Sequence, residues 1–258
     1  MNIIKQIIRY PIKGLSGENL EEVFLEKDQV LPGDREFAFA RSSVNYDPEN
    51  PIYLKKTNFL ALVKEEKLAK LKTEFNISSQ LLKIKIEDKI VFEKKLINAE
   101  DILSVEIFFQ KYLNLSDEQK PRLVRGIKDS ISKLNHSFSD IPEKVVSIIN
   151  LKSVNDLENK IGRQISPYRF RANFLIDINK PWEEFNWIGK TLSFGNSILQ
   201  IFKRTQRCGA TNVNPESAKR DINLPYEINN HYGHFDLGVY ARVVKSGLVS
   251  VQDQLDIS

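Results

Sequence analysis

The residues best suited to chemistry lie in one stretch, 198–221, which reads ILQIFKRTQRCGATNVNPESAKRD and holds the chain's only cysteine. Arg204 and Arg207 bring positive charge to the neighbourhood of Cys208, and Gly209 lets a bulky group come close. A thiolate is a soft ligand, suited to a soft or sulfur-coordinated metal. Taken alone, a single cysteine reads more readily as a small core residue. His231 and His234 form a second pattern, H-x-x-H, beside Tyr232 and Gly233. A zinc site needs three or four ligands and no third Cys or His stands nearby, so the pair reads instead as the rim of a substrate cleft. Asp236 could join them in proton transfer there.

A strand must deliver the chain to Cys208, and the region 198–203 has the pattern for one. Strands are also expected at 3–10, 20–26, 36–41, 81–86, 90–92, 173–178, 191–194, 239–244 and 248–251, from β-branched or alternating residues bounded by turn signals. Leu68, Leu71 and Phe75 suggest a short amphipathic helix over 65–75, and Ile102, Val105, Phe109 and Tyr112 a firmer one over 99–113. Another helix is expected over 153–161, capped by Ser153 and stopped by Gly162. The stretches 47–51, 115–143 and 223–234 read as loops, the last two as walls of a cleft. Glu183 and Glu184 read as a solvated loop after Pro181, and Trp182 and Trp187 as packing anchors.

Many short strands with few helices imply a mixed α/β, β-rich fold with a barrel-like core and peripheral helices. No repeat, G-x-G-x-x-G or Walker loop is present, which disfavours a doubly wound nucleotide-binding fold. A net charge of +4 over 258 residues lacks the dense basic face of a nucleic-acid binder. No run of about 18 apolar residues exists to span a membrane, and Lys5 and Arg9 interrupt an apolar N-terminus that superficially resembles a signal peptide. One cysteine cannot close an internal disulfide, which fits a reducing, cytoplasmic setting.

The stretch around the cysteine, Arg207-Cys208 with Thr211, Val213 and Pro215, resembles the signature loop of MOSC domains, named for the C-terminal domain of molybdenum cofactor sulfurase. Five further blocks resemble the same family in order: Tyr10-Pro11-Ile12-Lys13; Gly33-Asp34-Arg35 with Phe37; Phe170-Arg171-Ala172-Asn173; Pro181-Trp182-Glu183-Glu184; and Leu237-Gly238-Val239-Tyr240-Ala241. The resemblance implies a MOSC-type β-barrel core over 116–258 and an associated N-terminal β-barrel domain over 1–115, as in the amidoxime-reducing and hydroxylaminopurine-detoxifying relatives. It implies a molybdenum–molybdopterin cofactor whose metal is held by Cys208. Lys13, Arg35 and Arg171 would form its anion cradle, Arg207 would flank the metal, and Asn150, Ser153 and Thr211 would touch the cofactor. Ser153 is better explained as a helix cap, and Thr211 would either reach towards the metal or close the loop. Gly14 stands where relatives often have Ser, and Ala172 where Pro is common.

The activity this resemblance implies is an oxidoreductase acting on small N-hydroxylated compounds such as hydroxylamines or amidoximes. Its electrons would come from a separate ferredoxin, flavoprotein or haem protein, since no such domain follows Ser258 and no pyridoxal-phosphate domain precedes Met1. The alternatives are a carrier of the cofactor or of a Cys208 persulfide, and a bland β-rich domain with a buried thiol.

Overall fold

The computed structural model describes residues 2–47, 52–126 and 137–257, so part of the loops expected at 47–51 and 115–143 lies outside the described residues. Among the described residues, fifteen strands and three helices alternate with short 3-10 turns. The first half holds β1 (Ile3–Arg9), β2 (Glu18–Leu20), β3 (Glu22–Leu25), β4 (Phe37–Ala40), β5 (Lys72–Asn76), β6 (Leu81–Ile86), β7 (Lys89–Lys95), α1 (Ala99–Tyr112) and β8 (Arg122–Arg125). The second holds β9 (Val146–Asn150), α2 (Leu151–Ile161), β10 (Phe174–Asp177), β11 (Thr191–Phe194), β12 (Ser197–Gln206), α3 (Leu224–Tyr232), β13 (Asp236–Lys245), β14 (Gly247–Ser250) and β15 (Leu255–Ile257).

The result is a mixed α/β, β-rich fold. Eight strands form one sheet in the order β15-β11-β12-β13-β9-β10-β1-β2. It curls into a half-barrel whose ends meet at one rim, where Ile3 bridges Gln254 and the Leu255 amide donates to the Asn2 carbonyl at 2.9 Å. Inside lie Ile4, Ile7, Ile148, Phe174, Trp187, Phe194 and Val239, one face of each strand turned to the core. The first strand is thus built into the sheet of the second half, and β3 pairs with β14.

A second core gathers Phe37, Phe39, Leu71, Phe75, Leu82, Val105 and Phe109 between the β4–β8 ladder, the three-stranded sheet β5-β6-β7 and α1. α1 begins as its sequence demands: Asn98 caps it by accepting from the Asp101 amide at 2.8 Å, and Glu100 and Asp101 place negative charge in its first turn.

Several expectations are corrected. Residues 65–75 are not one helix but a 3-10 turn, Glu66–Lys70, followed by β5, because Leu71, Thr73 and Phe75 alternate inward beside β6. The cap of α2 is Asn150, accepting from the Lys152 amide at 3.0 Å; Ser153 lies one turn in and hydrogen-bonds Glu184. The stretch 223–234 carries α3, started by Asn223 and Pro225 and ended by Gly233 in the left-handed conformation. Within 115–143, β8 pairs with β4.

Glu184 is not solvated either: it is 0% exposed, gripped by Asn150 Nδ2 at 3.0 Å and Ser153 Oγ at 2.8 Å. Burial pushes its carboxyl above the usual 4.5, against the pull of the Asn150 and Ser153 donors. A raised folded pKa gives stability that is full below the unfolded pKa and lost as pH rises through the folded one. Glu184→Gln, which cannot ionise, should therefore gain stability relative to the wild type between about pH 4.5 and pH 8. Urea midpoints at the two pH values check this; a difference that does not change with pH contradicts it.

Candidate functional site

A cavity of about 600 Å³ takes its walls from both halves of the chain, with Lys13, Arg35, Lys56 and Leu62 from the first and Asp140, Arg171, Arg207 and Cys208 from the second. Among the described residues, eight Lys and Arg side chains line it against three Asp, so its field is positive. Cys208 reaches it from the end of β12. A bulge between Arg204 and Gln206 breaks the β12–β13 register just before it, a common way to re-aim a strand at a site. The Cys208 side chain is partly exposed, and a Cβ added at Gly209 would meet nothing within 4 Å.

The loop after Cys208 is tied down from several sides. The Cys208 carbonyl accepts from the Thr211 amide at 3.0 Å and from Thr211 Oγ1 at 2.9 Å, so the threonine closes the loop. Arg169 clasps Asp221 at 2.6 and 2.8 Å and donates to the Asn212 carbonyl at 3.0 Å. Arg220 links the Gly209 carbonyl at 2.8 Å to that of Leu62 at 2.7 Å, joining the loop to the other core.

Lys56 lines the same cavity as Cys208. Burial pulls the Lys56 ammonium down, but Cys208 and Asp140 more than compensate and its pKa is raised. Asp140 accepts from Lys13 Nζ at 2.7 Å and lies 4.0 Å from Lys56. Burial would raise its carboxyl, yet Lys13, Lys56 and Arg35 hold it well below the usual carboxylate range. Lys13, 6% exposed, also donates to the Phe138 carbonyl at 2.8 Å, and burial lowers its pKa.

Arg35 and Arg171 share one support, the buried Tyr10 ring, with their guanidinium carbons 4.6 and 4.4 Å from its centroid. Both sit in the left-handed backbone region, at φ 50° and 54°, which costs a non-glycine residue on the order of 1 kcal/mol or more. Arg35 pairs with Asp34 and donates to the Arg171 carbonyl at 2.7 Å. Arg171 donates to the Leu15 carbonyl at 2.5 Å. Arg207 donates to the carbonyls of Leu237 and, at 3.0 Å, Phe170. Among the described residues neither Arg171 nor Arg207 has a carboxylate partner. Burial lowers both to about 10, helped at Arg171 by the charge of Arg35, so both stay cationic at neutral pH. Two desolvated cations without a counter-charge mark a place made for an anion.

The sequence of residues 133–256, which supply Cys208 and most of this wall, matches the MOSC domain family. Those residues are a MOSC domain. Over the whole chain the structure is similar to that of the YuaD protein from Bacillus subtilis, with a TM-score of 0.45 and 12% identity, covering 100% of this chain and 96% of that one. It is also similar to YiiM from Geobacillus stearothermophilus and from Escherichia coli, with TM-scores of 0.36 and 0.34 and 18% identity to each; both matches cover 44% of this chain and 53% of the other. No curated protein matches it in sequence.

The MOSC domain brings Arg171, Arg207, Cys208 and Thr211 to the cavity, and Lys13 and Arg35 reach it from before the domain. Asn150 and Ser153 do not line it: both are fully buried, spent on Glu184, and a ligand in this cavity does not meet them. Asp236 and Tyr240 line the cavity, whereas His231 pairs with Glu227 at 3.6 Å on α3. His234 packs against Trp182 and Phe185, with ring centroids 5.8 and 5.5 Å away. Lys56 and Asp140 escaped the sequence reading. Lys56 follows another lysine in a polar stretch, and Asp140 lies in a segment taken for a connection, so neither carries a local signal.

Proposed function

We propose that this chain holds a molybdenum–pyranopterin cofactor through Cys208 and reduces small N-hydroxylated compounds, hydroxylamines or amidoximes, to the amine or amidine. The observation that carries this reading is a partly exposed sulfur opening onto a cavity whose half-buried Arg171 and buried Arg207 have no carboxylate partner among the described residues. The donor set fits the group. Among the described residues no three His, Cys, Asp or Glu side chains converge on a metal, so a metal at Cys208 has to bring ligands of its own, as a dithiolene does. The volume also lies within the roughly 300–1,000 Å³ of small-molecule and cofactor sites.

Arg171, Arg207, Arg35 and Lys13 would hold the cofactor's anionic groups, guanidinium forks being matched to phosphate oxygens. When bound, the cofactor supplies two-electron reduction, fed by a separate redox protein. In the reaction the N–O bond breaks, the nitrogen side gains two electrons and two protons in all with the oxygen, and that oxygen leaves as water. The chain's own part is to hold the compound and move protons. Lys56 Nζ carries a proton beside Cys208, and Asp140 keeps Lys56 and Lys13 in place.

Purified from cells rich in the cofactor, the protein is expected to contain molybdenum and, with reduced methyl viologen, to convert benzamidoxime to benzamidine. The open ground beside Cys208 also favours a second reading, a persulfide carrier. Cyanide-releasable sulfur on Cys208, with no molybdenum and no turnover, would select it.

A further inference from the structure

Most cations of the cavity are engaged by carboxylates: Lys13 and, at 4.0 Å, Lys56 by Asp140, Arg35 by Asp34, Arg169 by Asp221, and Lys203 loosely by Glu143 at 3.5 Å. Three arginines are not, among the described residues: Arg171, Arg207 and Arg204. They differ in exposure. A buried guanidinium without a counter-charge is costly while it stays empty, so its anion should be resident. A solvated one costs almost nothing when empty, and so suits an anion that comes and goes.

Arg204 is the solvated one, exposed yet lining the cavity. Its guanidinium is steadied over the Phe185 ring at 4.3 Å, which limits its freedom without using its hydrogen-bond donors. On β12 the burial alternates, so Arg204 and Gln206 share the exposed side that leads to Cys208. Arg204 lies four steps of extended chain before Cys208, a span of roughly 13 Å. Lys203, alongside, adds positive charge to the same rim.

We infer that Arg204 forms a rim subsite for a negatively charged group on the substrate, so that the preferred N-hydroxylated compounds carry a carboxylate or phosphate away from the reacting nitrogen. This rests on the proposed activity. Arg171 and Arg207 serve the resident group, and Arg204 reads the exchanging one.

The test compares benzamidoxime with its 4-carboxylate, which differ by one negative charge, on wild-type holoenzyme, Arg204→Gln and Arg204→Lys at low salt. The wild type should show a KM roughly three- to ten-fold lower for the carboxylate, as expected of one charge-assisted contact near the surface. That ratio should fall to about one in Arg204→Gln, return in part in Arg204→Lys, and shrink as added salt screens the charge. A wild type indifferent to the carboxylate, or an unchanged ratio in Arg204→Gln, overturns the subsite. So does loss of molybdenum from Arg204→Gln, which would place Arg204 with the resident group. If the wild type reduces neither compound, the proposed activity falls, and equilibrium dialysis of the carboxylate decides the subsite by itself: tighter binding to wild type than to Arg204→Gln supports it, equal binding overturns it.

Discussion

Cys208→Ser is expected to leave a folded protein with little molybdenum, under about a tenth of the wild-type content on the tenfold-per-1.4 kcal/mol scale of affinity. The exchange changes one atom. Sulfur is a soft donor matched to a sulfur-rich metal centre, whereas a serine hydroxyl is hard and poorly ionised. The fold should scarcely notice, because the side chain is partly exposed and the exchange nearly keeps its size. A loss of stability under about 1 kcal/mol is anticipated, the usual range for substitutions away from the core. A buried structural thiol would behave in the opposite way, with a cavity-sized loss of roughly 1–3 kcal/mol and no link to metal. Elemental analysis and urea unfolding of the two proteins side by side separate these outcomes. Equal molybdenum in both sinks the ligand assignment, whatever the stability.

How much of this site could be read from the sequence depends on how local each signal is. Cys208, Arg207, Arg171, Arg35 and Lys13 sit in short blocks with recognisable neighbours, and the chain does bring them to one cavity. The strand Thr191–Phe194 and the helix Ala99–Tyr112 were legible for a similar reason, since period and caps are properties of the segment itself. Residues 65–75 were not, because Leu68, Leu71 and Phe75 fit a helical spacing while Leu71, Thr73 and Phe75 fit a strand, and pairing with β6 decides between them. Asn150 and Ser153 misled for a different reason. Their partner is Glu184, more than thirty residues on, and a buried carboxylate after Pro181-Trp182 looks in sequence like any solvated acidic pair. Lys56 and Asp140 meet across segments joined by the packing of Phe59 on Phe138, a fact no window of sequence contains.

Arg207→Met should give the largest change in stability. Methionine matches the side chain in length and adaptability but offers no donors, so the carbonyls of Leu237 and Phe170 lose their guanidinium partner. Each buried carbonyl left unpaired costs about 1–3 kcal/mol. Some of this is regained, because the variant no longer buries a cation that has no carboxylate beside it. The hydrogen bonds outnumber the single charge, and a net loss of about 3 kcal/mol is expected in the metal-free protein, the low end for breaking a buried charged network. In the loaded protein the gap should widen. A resident group at 100 to 1,000 times its Kd adds roughly 3–4 kcal/mol to the wild type by mass action, and a variant that cannot hold it forgoes that gain. Gly238 shows how closely the arginine is fitted: at φ 80° it lies beside Arg207, and a Cβ there would come within 3.2 Å of Nη2 and 2.5 Å of the Ile148 carbonyl. Melting curves of both proteins, with and without molybdenum loading, measure the two parts separately. If the variant gains as much Tm on loading as the wild type, the guanidinium is a brace for β13 and no part of the anion's hold.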